Sequence, residues 1–218
     1  HVRDAVAIVR ALLRDGEVQY EGEAIRIENF DLWFRPYRAD MPIYISALFP
    51  KMMRLCGEIS DGVILTRSTL ETSEKIKPLI AEGAVSAGRD PAKVDVTSLL
   101  PMAVADTLEA ARDIMRPGVA FYAGFFPRYN RLISEYGFVE EAAAISKAWA
   151  QGDQAGAARL VTDDMVDATG IVGTSDDCRA RINEYRDAGL DLPIISPFAR
   201  GPGAKAVFEA AIRACAPD

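Results

Sequence analysis

Histidine is nearly absent from this sequence, because His1 is the only one in the chain. Histidine is the commonest general base and the commonest metal ligand in proteins. We therefore exclude Ser-His-Asp catalysis, Cys-His catalysis and zinc-dependent hydrolysis for the interior of the chain. The three cysteines (Cys56, Cys178, Cys215) are odd in number and far apart, so we expect neither a disulfide framework nor a paired-cysteine zinc site. This cysteine usage favours a reducing, cytoplasmic location.

Two phosphate-binding glycine motifs are missing as well. No GxGxxG follows a strand pattern and no GxxxxGK[ST] occurs, so the dinucleotide fold and the P-loop lack their signatures. Basic residues are too few for a broad positive field, since 25 Lys and Arg face 32 Asp and Glu for a net charge of −7. The longest apolar run, residues 94–105, is far shorter than the ~20 residues that span a bilayer. We expect neither a nucleic-acid partner nor a membrane span.

What is present is the composition of a folded domain. Half of the 218 residues are hydrophobic and 26% are charged, which is typical of a chain that buries a core. Short apolar segments without polar alternation, each followed by an amphipathic helix, predict parallel strands covered on both faces. The predicted strands are residues 43–47, 62–66, 94–105 and 192–197.

Local signals complete the prediction. Residues 2–13 have helical periodicity, and residues 18–27 predict a hairpin with its turn at Glu21-Gly22. Asp106, with Glu109 three residues on, predicts a capped helix that ends before Pro117. The residues from Thr174 to Asp177 predict a second capping box, at the start of a helix in which Tyr185 faces inward. Residues 118–170 predict an insertion of short helices without a strand. The four βα units fit either a small open sheet or half of an eight-stranded barrel.

Several stretches carry a family resemblance. They are YEG at 20–22, PIYISALFPKM at 42–52, GEISDGVIL at 57–65, AGRDP at 87–91, GTS at 173–175 and AGLD at 188–191. In this order and spacing they resemble the bacterial luciferase-like monooxygenase superfamily. The resemblance is closest to its deazaflavin-dependent branch, typified by methylenetetrahydromethanopterin reductase.

The resemblance implies an α/β TIM barrel, with residues 1–218 as the C-terminal part of one barrel domain. It also implies an oxidoreductase that uses coenzyme F420 or FMN and transfers hydride to or from a small organic substrate. Two alternatives stay open: an FMN-dependent monooxygenase, and a non-catalytic half barrel that only self-associates. The open edges of a half barrel favour pairing, so we expect a homo-oligomer.

Barrel active sites lie at the carboxyl ends of the strands, which places the four loops after the predicted strands at the predicted site. By resemblance, the loop after the first strand lines the cofactor ring; it comprises Ser46, Ala47, Leu48 and Phe49. The alternative for that loop is an ordinary strand-to-helix turn. By resemblance, the loop after the second strand binds a cofactor phosphate; it comprises Thr66, Arg67, Ser68 and Thr69. Its alternative is simple helix capping.

Other candidate residues are less specific. Arg200, after the last strand, is a candidate substrate or anion site or else a solvated side chain. Aromatic residues of the insertion either cover the substrate pocket or simply pack together; they are Tyr122, Phe125, Phe126 and Tyr129. Glu58 and Asp61 precede the second strand on the stability face, so we expect them to be solvated rather than catalytic. No catalytic acid or base is assigned, since the cofactor supplies the chemistry in this family.

Overall fold

The computed structural model describes residues 1–198 and 203–215. The strands in these residues are β1 (Glu17–Glu21), β2 (Arg26–Asp31), β3 (Tyr44–Ser46), β4 (Gly62–Thr66), β5 (Asp95–Val104), β6 (Ile171–Gly173) and β7 (Leu192–Pro197). The helices of the first half are α1 (Val2–Asp15), α2 (Pro50–Ile59), α3 (Leu70–Ser86) and α4 (Leu108–Phe125). Those that follow are α5 (Pro127–Glu135), α6 (Val139–Ala150), α7 (Gln154–Arg159), α8 (Asp163–Thr169), α9 (Ser175–Asp187) and α10 (Ala204–Cys215).

The strands form two sheets. β1 and β2 are an antiparallel pair, whereas β3 to β7 form a five-stranded sheet. The order in the larger sheet is β3-β4-β5-β6, and β7 also pairs with β5. The pairs β3–β4, β5–β6 and β5–β7 are parallel. Parallel strands alternating with helices confirm the predicted α/β class.

Three local predictions were wrong, each for a physical reason. The helix after β5 does not end before Pro117; α4 continues to Phe125, because burial of its inner face offsets the roughly 3 kcal/mol cost of an interior proline. The cap of α4 is Thr107 rather than Asp106, since the Thr107 side chain accepts from the Ala110 N–H at 3.2 Å. The hairpin connection is residues 22–25 rather than a turn at Glu21-Gly22, because the Ala24 and Ile25 N–H groups donate to the Asp4 carboxylate instead of to a tight turn.

A fifth parallel strand was missed. β6 has only three residues, too few to show a strand pattern, and pairs with the end of β5 from Met102 to Val104. Immediately after it, the predicted capping box is confirmed: the Thr174 side chain accepts from the Asp177 N–H, and the Asp177 side chain accepts from the Thr174 N–H. Residues 118–170, all described, hold the second half of α4 and α5 to α8, and no strand lies among them.

The chain divides into two compact units. The first comprises His1–Ile64 and Pro78–Asp95. Within it, α2 and the second half of α3 touch through their backbones at two glycines. A Cβ on Gly57 would lie 2.1 Å from the carbonyl oxygen of Ile80, and a Cβ on Gly83 would lie 1.9 Å from that of Arg54. Glycine therefore sets the separation of these two helices.

In the same unit, Asp4 of α1 holds the connection of the hairpin. Its Oδ2 accepts from the N–H groups of Ala24 at 2.8 Å and Ile25 at 3.0 Å, and its Oδ1 accepts from the Tyr20 hydroxyl at 3.1 Å. These donors, the Ala24 N–H foremost, hold the pKa of Asp4 below its usual value against the opposing effect of burial. The ionised carboxylate thus favours the folded state.

We expect Asp4→Asn to lower the melting temperature at neutral pH and to have little effect in strong acid. A carboxyl group with a lowered folded-state pKa stabilises the protein above its unfolded pKa, and that contribution is lost as the pH falls through the folded value. Thermal denaturation at about pH 7 and at about pH 2.5 measures the difference. Glu23→Gln, at an exposed carboxylate nearby, is the control. A loss of melting temperature for Asp4→Asn that is larger in acid than at neutral pH would contradict this expectation.

The second unit comprises Leu65–Lys77 and Val96–Asp218, and α4 is at its centre. Small and branched side chains of α4 pack with those of α5 to α8 into a cluster that excludes solvent. The cluster consists of Ala103, Ala111, Met115, Val119, Ala120, Ala123, Ile133, Ala142, Ile145, Ala157, Val161, Met165 and Val166. This packing fixes α4, whose aromatic residues contribute to the site described below.

No helix within the described ranges is long and apolar enough to cross a membrane.

Candidate functional site

The loop after β3 combines a buried anchor with an exposed edge. Ala47 is buried, and its N–H donates to the carbonyl oxygen of Ile64 at 3.1 Å. Phe49 has an extended backbone and caps α2, its carbonyl oxygen accepting from the N–H groups of Met52 and Met53. Ser46 is exposed at the carboxyl end of the strand. Main-chain bonds therefore fix the loop while the Ser46 side chain faces outward.

Hydrogen bonds already occupy the three hydroxyls of the loop after β4. The Thr66 side chain bonds to the Tyr129 hydroxyl. Ser68 Oγ lies 3.0 Å from Ser98 Oγ, and both residues are buried. Thr69 Oγ1 accepts from the Thr72 N–H at 3.0 Å, which is the simple capping alternative, and it also lies within hydrogen-bond distance of Thr72 Oγ1, at 2.9 Å. The loop therefore has few side-chain donors left for a ligand.

Arg67 is the exception in this loop. Its φ of 51° is the one left-handed backbone conformation adopted by a residue other than glycine among those described. Such conformations cost on the order of 1–3 kcal/mol and cluster at functional sites. Arg67 is only 3% exposed, yet its Nη1 has no hydrogen-bond partner. A buried guanidinium nitrogen without an acceptor is costly, which marks Arg67 as a candidate ligand-binding residue.

The Arg67 guanidinium lies against an aromatic ring that belongs to a larger cluster. Its Cζ lies 4.2 Å from the centroid of the Tyr122 ring, a cation–π contact. Tyr122 in turn packs edge-on against Tyr129, with ring centroids 4.8 Å apart, and Phe126 lies within 5.8 Å of both. Burial lowers the pKa of Arg67 to about 10, partly offset by Tyr122 and Tyr129, so the side chain stays charged at neutral pH.

The four predicted aromatic residues, Tyr122, Phe125, Phe126 and Tyr129, form one packed cluster with Phe121 of α4 and Trp149 of α6. These aromatic residues therefore pack together, which is one of the two interpretations given for them from the sequence. Tyr122 and Tyr129 have, in addition, the contacts with the β4 loop given above. Phe125 is 57% exposed at the edge of the cluster. Whether the cluster covers a substrate stays a prediction.

Two residues that the sequence did not assign to the site hold the β4 loop in place. Ser98 of β5 bonds to Ser68, and the Tyr185 hydroxyl of α9 donates to the Ser68 carbonyl oxygen at 2.7 Å. Burial raises the pKa of Tyr185 to about 12, so it is a neutral donor. The helical pattern predicted only that Tyr185 faces inward. Nothing in the local sequence signals its contact with a loop more than a hundred residues away.

The remaining predicted residues lie elsewhere. Asp61 Oδ2 accepts from the Ile43 N–H at 2.7 Å and from Arg10 at 2.9 Å, and Glu58 pairs with Arg3. These two carboxylates are thus ion-paired rather than simply solvated. Arg200 falls outside the described residues. Within the described ranges, no group of histidine, cysteine, aspartate or glutamate side chains could hold a metal ion.

Comparison with known proteins decides the family. The sequence model of the luciferase-like monooxygenase family matches residues 1–192. The chain belongs to this family. Membership confirms the resemblance drawn from the sequence motifs.

Among luciferase-like relatives, two reductases are similar over most of this chain. It is 34% identical over 209 residues to 5,10-methylenetetrahydromethanopterin reductase of Archaeoglobus fulgidus, covering 94% of this chain and 61% of that protein. It is 36% identical over 190 residues to the reductase of the same name from Methanolobus tindarius, covering 86% of this chain and 57% of that protein. The chain thus spans about three fifths of the length of these relatives.

Solved luciferase-like structures share the fold. The coenzyme F420-dependent tetrahydromethanopterin reductase of Methanopyrus kandleri superposes with a TM-score of 0.84 at 28% identity, covering 97% of this chain and 60% of that one. An F420-dependent secondary alcohol dehydrogenase superposes with a TM-score of 0.71 at 21% identity, covering 99% and 61% of the two chains. These superpositions confirm the TIM-barrel architecture, of which this chain is a part.

Proposed function

We propose that this luciferase-like chain is part of an oxidoreductase that transfers hydride between coenzyme F420 and a small organic substrate. The observation that carries this proposal is the 34% identity over 94% of the chain to a methylenetetrahydromethanopterin reductase. The related reductase that superposes at 28% identity is F420-dependent. The monooxygenase among the structural neighbours is 23% identical, so it supports the fold alone.

The β3 loop fits a flat ring system. The loop places the exposed Ser46 beside the half-buried Leu48 and Phe49. Cofactor sites combine polar and apolar groups in the same way. We assign ring contact to Ser46, Ala47, Leu48 and Phe49. When bound, the deazaflavin ring supplies the hydride acceptor or donor, while this chain's residues position it and exclude water.

The β4 loop is proposed as a second cofactor-binding segment, acting through its main chain. The side chains of Thr66, Ser68 and Thr69 are bonded within the protein, which limits a phosphate to backbone donors at the start of α3. The Arg67 side chain is left for another group, argued below.

Anaerobic turnover tests the proposal. Reduced F420 is mixed with the purified protein and with methylenetetrahydromethanopterin or a series of small ketones, and oxidation of the deazaflavin is followed by its absorbance. We expect substrate-dependent oxidation that does not require oxygen. Oxidation of reduced FMN that consumes oxygen, with no reaction of F420, would instead assign a monooxygenase. No reaction with either coenzyme would favour the non-catalytic alternative.

Self-association remains a prediction of the sequence. Sedimentation equilibrium of the purified protein tests it, with a dimer or larger species expected. Cytoplasmic location also remains a prediction.

A further inference from the structure

Arg67 has a charged donor that nothing in the described structure satisfies. Arg67 is only 3% exposed, and its Nη1 has no acceptor. No aspartate or glutamate of the described residues forms an ion pair with it. A buried arginine without an acceptor lowers the stability of the protein. Such an arginine usually serves to bind an anion.

The surroundings select the kind of anion. A phosphate binds best to several converging donors, whereas the neighbouring Thr66, Ser68 and Thr69 hydroxyls are already bonded. The guanidinium lies against the Tyr122 ring, with Tyr129 and Phe126 beyond it. One planar charged donor stacked on an aromatic ring suits a single negative charge on a planar group.

The left-handed backbone at Arg67 places this donor. Arg67 N–H donates to the Leu99 carbonyl oxygen at 3.1 Å, so the residue is tied to β5 while its φ of 51° turns the chain away from the strand direction. Glycine would adopt this conformation without strain, yet the position holds arginine. We therefore attribute the strained backbone to the position that it gives the arginine side chain.

We propose that Arg67 binds the carboxylate of the substrate, with the Tyr122 ring stacked against the guanidinium and Tyr129 beside it. The substrate of the proposed hydride transfer is thus a carboxylic acid. Only the statement that the carboxylate belongs to the substrate rests on the proposed function. The carboxylate site itself is inferred from the geometry of Arg67.

Benzoate and its neutral analogue benzamide are the probes, titrated into the purified protein by calorimetry. We expect benzoate to bind, benzamide to bind at least about tenfold more weakly, and Arg67→Gln to weaken benzoate by about 10- to 100-fold. Arg67→Lys keeps the charge without the planar fork and is expected to be intermediate. Arg128→Gln, at an exposed arginine next to Tyr129, is the matched control and should bind benzoate as the parent does.

Stability separates a binding role from a structural one. If Arg67 serves a ligand, Arg67→Gln should keep or raise the melting temperature, because it removes a buried charge that has no acceptor. A clear fall in melting temperature with unchanged benzoate affinity would overturn the proposal. Equal binding of benzoate and benzamide, or phosphate binding more tightly than benzoate, would overturn it as well.

A titration with F420 keeps the two proposals distinguishable. Arg67→Gln should bind F420 with parental affinity; a tenfold loss would assign the anion to the cofactor and overturn the substrate assignment. Arg67-dependent benzoate binding by a protein that does not bind F420 would support the carboxylate site and contradict the proposed function.

Discussion

Replacing Gly83 with alanine is expected to lower the free energy of unfolding by about 3 kcal/mol, at the upper end of overpacking effects. Helix propensity alone predicts a gain in the free energy of unfolding, since alanine is favoured over glycine by about 1 kcal/mol in a helix interior. The added Cβ would lie 1.9 Å from the Arg54 carbonyl oxygen and 2.7 Å from its carbon. Backbone atoms cannot move aside as a flexible side chain can, so α2 and α3 must separate.

Urea denaturation of Gly83→Ala measures this effect, and Gly57→Ala should behave alike because its Cβ would meet the Ile80 carbonyl oxygen. Val85→Ala, at a residue on α3 that is 66% exposed, is the control and should change stability by less than about 0.5 kcal/mol. A gain in stability for Gly83→Ala would show that the helices are not in backbone contact.

Replacing Ser46 with tryptophan is expected to weaken F420 binding by about 100-fold, or about 2.7 kcal/mol. Ser46 is exposed at the end of β3, so the larger ring should not disturb the core. It would instead fill the space that we assign to the cofactor ring. Fluorescence titration with F420 gives the affinity, and thermal denaturation confirms that the variant is folded.

Ala87→Trp provides the matched control for Ser46→Trp. Ala87 is exposed just beyond α3, away from the strand ends assigned to the cofactor. The Ala87→Trp variant should bind F420 as the parent protein does. An affinity within twofold of the parent for Ser46→Trp would remove the β3 loop from the cofactor site.

The elements that could be predicted from the sequence were those with a strong local signal. The run at β4 and the capping box at Thr174 each carry enough residues to indicate the structure without distant contacts. β6 was missed because three residues show no periodicity, and its strand character comes from pairing with β5. Pro117 was misjudged because the packing that offsets it involves several later helices.

The site shows the same limit more sharply. The sequence predicted which loops follow the strands, and it left cofactor binding and capping open for Thr69, which does cap α3. It did not indicate that Arg67 is buried, strained and without an acceptor at Nη1. That state depends on Tyr122, which lies 55 positions later in the chain, and on Leu99 of β5. Burial of a charged side chain by distant segments has no local sequence signal.

Equilibrium titration of the purified protein with F420 and, separately, with FMN shows which of the two coenzymes the protein uses. We expect saturable binding of F420 with a dissociation constant in the micromolar range, about −8 kcal/mol, and binding of FMN at least about tenfold weaker. Binding of FMN as tightly as F420, or saturation by neither coenzyme, would contradict a deazaflavin-dependent hydride transfer.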